Sequence, residues 1–426
     1  MKTETLHQKF LESTGICTDT RAIYKGCMFV ALKGKHYNAN NFTGEALKKG
    51  AKYVLIDEAE QHRNTGQTIL CSNVLTQLQK LATYHRNYLK INIIALTGSN
   101  GKTTTKELIN AVLSKKYNTT ATKGNLNNHI GVPLTLLSMT AKTQMGIVEM
   151  GANHKKEIEF LCNISRPDYG YITNFGKAHL AGFGSLQGVI QGKTELYTFC
   201  AKNNKTVFVN ANDAEQIKQC KGIQKFTFGD NQQDATVQLL KAENTVLVSY
   251  KGEKIKSNLI GTYNFHNIAA AIAMGHYFKI SAKDIKAAIE GYTPTNKRSQ
   301  RIKKNGHHIV LDAYNANPTS MMAALQSFER AKGGNKTLFL GDMFELGKNA
   351  ATEHQAIVDY LEKKQMGTTY LLGGIFFKTE TNTNTIKKFE TFESFKGEYK
   401  NETIPPSTIL IKASRGMALE RILELL

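Results

Sequence analysis

The stretch NIIALTGSNGKTTTKELINAVL, residues 92–113, collects the residue types that hold a phosphate chain. Gly98 and Gly101 flank Ser99 and Asn100, so the backbone can turn tightly and come close to a ligand. The Lys102 ammonium suits the β and γ phosphates, and the Thr103 hydroxyl, with Thr104 behind it, suits a Mg²⁺ ion. Ile93 to Leu96 predict a buried strand, while Leu108, Ala111 and Val112 mark one face of a helix that Lys102 opens. A strand, a glycine turn and a helix N-terminus together favour an anion. Glycines also mark plain turns, and GKT arises by chance, but the position between a strand and an amphipathic helix argues against that reading. The loop is a shortened variant of GxxxxGK[ST], because Leu96 stands where the first glycine would be. ATP or GTP is the expected ligand.

Other polar residues stand at the ends of apolar runs, where open α/β sheets place their ligands. Glu149, in GIVEM (146–150), either ligates a metal or pairs with Lys155; the metal role is preferred because a nucleotide needs Mg²⁺ held by oxygen ligands. YITNFGKAHLAGFGS puts Asn174 at a strand end and His179 in a glycine-rich loop, as a second-metal ligand, a general base or a structural histidine. GTYNFHNIAAAIA (261–273) sets Asn264, His266 and Asn267 before an Ala-rich helix. Asn is a normal N-cap, yet three flat polar side chains together suit a nucleobase. VLDAYNANPTSMMAAL (310–325) places Asp312 at a strand end, Tyr314, Asn315 and Asn317 in the turn, and Pro318 at the first helical position. Turn chemistry alone also favours Asn and Pro there. FLGDMFELG (339–347) and LIKASRGMALE (410–420) repeat the theme, which reads as a second ligand-binding sheet.

Strands must present these positions. INIIALT (91–97), GIVEM, YGYITN (169–174), TVFVN (206–210), HIVLD (308–312), KTLFLGD (336–342), TYLLG (369–373) and TILIK (408–412) alternate with helical patterns, which implies parallel sheets flanked by helices. A chain of 426 residues exceeds what one core serves. A helical pattern from Leu75 to Leu89 and a break at GYTPTNKRSQR (291–301) divide it into residues 1–88, 89–296 and 297–426. The expected class is α/β: a small N-terminal substrate domain, a central parallel sheet with the mononucleotide loop, and a C-terminal Rossmann-like sheet.

The chain is 41% hydrophobic and 21% charged, and no apolar run reaches the roughly 20 residues of a membrane span. MKTETLHQKFLESTG does not read as an export signal, so a cytoplasmic protein is expected. The six cysteines form no CxxC pair and support neither zinc nor a disulfide framework. The net charge of +20 suits a polyanionic partner or a solvated surface, but basic residues are spread along the whole chain, which weakens a nucleic-acid reading.

TGSNGKTTTKE, GNLNNHIGVPLTLL, VEMGANHKKEIEFL, NFGKAHLAGFGS, YNFHNIAAA, DAYNANPTSM, GDMFELG and IKASRGMALE, in this order, resemble the Mur ligases of cell-wall synthesis, and TDTRAIYKGCMFVALKGKHYNANNF (18–42) is similar to their N-terminal substrate domain. YNANP with GDMFELG is most similar to the member that joins D-alanyl-D-alanine to UDP-N-acetylmuramoyl-tripeptide. The resemblance implies an ATP-dependent ligation through an acyl phosphate, with ADP and phosphate released, in a monomer needing two Mg²⁺ ions. It implies that Thr103 and Glu149 carry the first metal and His179 with a carbamylated Lys193 the second. Lys102, His179, Lys193 and Arg298 become the catalytic set, with Arg298 on the γ-phosphate. Asn267 would bind adenine and Asp312 the ribose or the hinge. Tyr314, Asn315 and Asn317 would receive the dipeptide, and Asn125, Asn127 and Asn128, with Asp19 and Arg21 of the first domain, the muramyl peptide. The family has glycine before its arginine, where this chain has Lys297. YNANP and TDTR argue against a sister ligase or a folylpolyglutamate synthetase. A P-loop switch or nucleic-acid motor would need an arginine-rich groove with aromatic stacking positions, and the chain has no tryptophan.

Overall fold

In the computed structural model, residues 2–63, 66–243, 245–331, 334–399 and 404–426 are described. Three parallel or mostly parallel sheets follow one another along the chain. The first has the order Ile16–Cys17, Met28–Val30, Tyr53–Ile56, Thr68–Leu70. The helix Val74–Leu89, capped by the Asn73 side chain on Thr76 N–H, then packs on Gly131–Leu137 and Glu157–Ser165 of the next unit.

The central sheet runs Ala235–Thr236, Lys225–Gly229, Thr206–Asn210, Tyr169–Ile172, Asn92–Thr97, Met145–Glu149, Thr119–Ala121, with every neighbouring pair parallel. Both faces are covered by helices, so Ile93, Ile94, Ala95 and Leu96 are all fully buried. Burying each of these larger side chains contributes about 1.5–3 kcal/mol. Asn92–Thr97 connects onward to Thr119–Ala121 on one side of the sheet, whereas its neighbour Met145–Glu149 connects to Tyr169–Ile172 on the other, so the connections of these two adjacent strands leave in opposite directions. Their C-terminal ends therefore form the crevice where such sheets bind ligands.

The third sheet has the order Gln300–Lys304, His307–Asp312, Ser407–Lys412, Asn335–Gly341, Thr368–Leu372, Ile386–Phe389; only its first pair is antiparallel. Sheet composition agrees with the α/β class and the three-part architecture expected. Two features were not anticipated: the Lys-rich edge strand Gln300–Lys304, which begins at the end of the stretch read as a break, and an antiparallel meander of Gln238–Lys241, Leu247–Tyr250 and Glu253–Lys256. Both are built of short, partly exposed strands of four or five residues, too brief for a clear periodic signal.

Candidate active site

The phosphate-loop conformation depends on its glycines. Gly98 has φ +143°, and a Cβ there would lie 2.0 Å from Thr173 Oγ1. Gly101, at φ +79°, precedes the helix Lys102–Leu113 in the N-cap position, and no side chain caps that helix. Its first-turn N–H groups therefore remain open toward an anion. The loop is braced by the next strand end: Thr173 Oγ1 and Asn174 Nδ2 donate to Asn100 O (2.6 and 3.0 Å), Asn100 N–H donates to Asn174 Oδ1 (3.1 Å), and Ser99 Oγ donates to Gly176 O (2.9 Å). Asn174, read from the sequence as a strand-end polar residue, is thus a support for the loop.

Lys102 Nζ donates to Gly98 O (2.6 Å) and Ser99 O (3.2 Å) of its own loop. Desolvation pushes its pKa down to about 8; the Glu149 carboxylate opposes the shift and Arg298 adds to it. Glu149 is 1% exposed. Its Oε1 accepts from Asn127 Nδ2 at 2.8 Å, and its Oε2 is buried with no hydrogen-bond partner. A carboxyl oxygen left unpaired in the interior is costly, and a hard cation bound by oxygen would satisfy it. The donor set therefore fits Mg²⁺. Thr103 is buried in the same helix turn.

His179 takes a left-handed φ of 53° at the start of Leu180–Phe183. Its Nδ1 faces Glu345 Oε2 from the third sheet's loops, which holds the Glu345 carboxyl below its ordinary range. The imidazole Nε2 has no protein partner among the described residues. Lys193, on the helix Leu186–Lys202, is fully buried; its Nζ donates to Ala152 O (3.1 Å) and stands 5.2 Å from the centre of the Phe183 ring. Burial, reinforced by the nearby Lys102 charge, pushes its pKa well below that of an ordinary lysine despite Glu157 and Glu195. The side chain lies just under the cavity wall that Ala152 forms, instead of on the surface.

These groups border a cavity of about 690 Å³ shared by the central and third sheets. Asn264 and Asn267 reach it, but their amides are already engaged: Asn267 Nδ2 donates to Asn264 Oδ1 (2.8 Å) and Asn267 Oδ1 accepts from Thr105 Oγ1 (3.0 Å). His266 turns away onto Asn210 (3.1 Å). Across the cavity stand Arg298, Asp312, Tyr314, Asn315 and Asn317. The Arg298 guanidinium carbon lies 3.7 Å from the centre of the Tyr314 ring, and Arg298 Nε is buried without a hydrogen-bond partner. Lys297 adopts φ 56°, the conformation that glycine takes without strain; its ion pair with Glu420 (2.5 Å) anchors the turn in the lysine's case. Asp312 Oδ1 accepts from Ser299 N–H (3.1 Å) and Oδ2 from Lys412 Nζ (2.5 Å), which fixes its carboxylate within the third unit at the cavity wall. Asn317 caps the helix Pro318–Glu329, and its Nδ2 donates to Asn100 Oδ1 of the phosphate loop at 2.8 Å.

Asn125, Asn127 and Asn128 also line the cavity. Asn127 positions Glu149, Asn128 Oδ1 accepts from the N–H groups of Ile130 and Gly131 (3.0 and 2.9 Å), and Asn125 is left on the rim. Asp19 and Arg21 are not in it: they form an exposed 2.7 Å ion pair on the first sheet's unit. The sequence reading missed Lys412, Ser414, Arg415, Phe344 and Glu345 as individual cavity residues. Lys412 carried the signal already used for Glu149 and Asp312, a charge closing an apolar strand.

Comparison with known proteins agrees with this geometry. The Mur ligase middle domain matches residues 96–275, and the Mur ligase glutamate ligase domain matches residues 297–420. The chain is 34% identical to "UDP-N-acetylmuramoyl-tripeptide--D-alanyl-D-alanine ligase" of Bacillus subtilis (strain 168), over 96% of this chain and 92% of that protein. Its fold is similar to crystal structure I of MurF from Acinetobacter baumannii, with TM-score 0.87 and 27% identity over 99% and 98% of the two chains. It is also similar to the MurF ligase of Thermotoga maritima in complex with ADP, with TM-score 0.83 and 25% identity over 98% and 97%. From the matched domains, the full-length relatives and the shared cavity, the chain belongs to the Mur ligase family.

Proposed function

We infer that the protein is an ATP-dependent ligase that joins D-alanyl-D-alanine to UDP-N-acetylmuramoyl-tripeptide, giving UDP-N-acetylmuramoyl-pentapeptide, ADP and phosphate. The observation that carries this reading is the apposition of the phosphate loop and the YNAN loop across one cavity, with Asn317 hydrogen-bonded to Asn100. The γ-phosphoryl group passes to the terminal carboxylate of the tripeptide, forming an acyl phosphate. The dipeptide amine then attacks the acyl carbon, an amide C–N bond forms, phosphate leaves and the amine loses a proton.

Several residues suit these steps. Gly98, Ser99, Asn100, Gly101 and Thr104 wrap the phosphates, and Lys102 exchanges its loop carbonyls for phosphate oxygens. Arg298, held flat on Tyr314, faces developing charge on the transferred group. Asn267 is suited to back the nucleotide and Asp312 to hold the hinge that brings the sheets together. Tyr314, Asn315 and Asn317 are placed for the dipeptide. Asn125 and Asn128 border the peptide side, and Asp19 and Arg21 belong to the surface of the first unit, residues 1–88, suited to the nucleotide-linked end of the substrate. Thr103 and Glu149 are the residues that would hold one Mg²⁺, and His179 with Lys193 a second. Burial favours the neutral amine of Lys193, the form that adds carbon dioxide to give an anionic carbamate. Bound Mg²⁺ would neutralise phosphate charge and polarise the phosphoryl group.

Among the described residues no helix is long and apolar enough to cross a membrane. We place the reaction in the cytoplasm because its reactants are a free nucleotide and a nucleotide-linked peptide, and in a monomer on the strength of the family resemblance. The test is phosphate release from ATP and Mg²⁺ with UDP-muramyl-tripeptide, with and without D-alanyl-D-alanine. A strict dipeptide requirement supports the ligase. Equal release with single amino acids favours a sister ligase, and stimulation by DNA or RNA favours a motor.

A further inference from the structure

A second cavity, of about 710 Å³, lies behind the catalytic one. The two are separated by a thin partition in which Tyr263 OH and Ser299 Oγ are 2.8 Å apart and Ser299 N–H donates to Asp312. Tyr263 and Asp312 line both spaces.

Strand register explains the chemistry of the second cavity. Arg301 pairs with Val310 and Lys303 with His308 across the antiparallel edge, while Val310 pairs with Leu410 and His308 with Thr408. Alternation along a strand puts these side chains on one face. That face is apolar toward the sheet centre, at Val310 and Leu410, and cationic toward the edge, at Arg301 and Lys303. Phe328 of the helix Pro318–Glu329 forms one wall, and Ile260 of the central unit stands opposite. Arg301 and Lys303 are exposed and make no ion pair among the described residues. Two acidic residues border the space: Asp312 is already engaged by Lys412 and Ser299, and Glu243 stands at the rim.

We propose that this cavity is a second ligand site, for an amphipathic anion whose flat apolar body rests on Val310, Leu410 and Phe328 and whose carboxylate or sulfonate meets Arg301 and Lys303. A space of this size suits a small organic ligand. An apolar body supplies affinity through burial, and two unpaired cations at one end set its orientation. Its walls come from both sides of the hinge, so its occupant spans the two units.

The probe is 8-anilinonaphthalene-1-sulfonate, with the uncharged N-phenyl-1-naphthylamine as control, titrated by fluorescence into the full chain at saturating ADP. One saturable site for the sulfonate is expected to persist with ADP bound. The double exchange R301E/K303E should weaken the sulfonate at least about tenfold and leave the neutral control within about twofold. Both positions are exposed, and K303E alone, expected to lie between the two, serves if the double variant fails to fold. Displacement of the probe by ADP would locate it in the catalytic cavity and overturn the proposal. Absence of saturable binding, or equal sulfonate affinity in wild type and variants, would overturn it too.

Discussion

Lys102 should make ADP binding a proton-linked event. In the free enzyme desolvation pushes the pKa of its ammonium down to about 8, opposed by the Glu149 carboxylate, while the ammonium donates to its own loop carbonyls. Phosphate oxygens would favour the charged form and raise the pKa in the complex. A group whose pKa is higher in the complex adds affinity that is fully present below the free-state pKa and is lost as pH rises through it. Taking about 8 for the free state, ADP affinity should fall about tenfold between pH 7 and pH 9, or about 1.4 kcal/mol. At pH 8, binding should take up about half a proton. Phosphate groups titrate near 6 and lie below this window. Calorimetry at pH 8 in two buffers of different ionisation enthalpy reads the proton directly, and Lys102→Arg, which does not titrate, should abolish it. A flat affinity from pH 7 to 9 with no proton uptake would refute the argument.

Asn127→Ala should raise the Mg²⁺ concentration for half-maximal turnover about 10- to 100-fold, since it frees Glu149 from the amide that aims it; a changed tripeptide KM at unchanged Mg²⁺ demand would return Asn127 to the substrate side. Gly98→Ala should distort the loop and cost about 1–3 kcal/mol, read as a lower Tm with loss of ADP binding, because its Cβ meets Thr173 at φ +143°; wild-type Tm and affinity would contradict this. Protein equilibrated with ¹³C-bicarbonate should show a carbamate resonance by NMR that is absent from Lys193→Met; the same resonance in the variant would place the modification elsewhere.

Local signals were the legible ones. The phosphate loop could be read because its glycines, lysine and threonines are adjacent in sequence, and Glu149 and Asp312 because a charge at the end of an apolar strand is conspicuous. Lys193 offered no such signal: on a helix it looks like an ordinary surface lysine, and only the resemblance singled it out before the fold showed it buried. Glu345 and Arg415 escaped because their place at the cavity depends on contacts with residues more than a hundred positions away, His179 and Tyr314. Asn127 was expected on the muramyl-peptide side; its partner could not be read, since it lies in the loop beyond Thr119–Ala121 and meets Glu149 only because that strand pairs with Met145–Glu149.

The strand Ser407–Lys412 occupies the interior of its sheet, between His307–Asp312 and Asn335–Gly341. The strands before it in the chain form two sets, Gln300–Lys304 with His307–Asp312 and Asn335–Gly341 with its neighbours, that are joined only through this late segment. The cation that neutralises Asp312 and the wall formed by Ser414 and Arg415 arrive with it. Truncations that remove this segment should therefore abolish the activity outright without leaving a graded remainder.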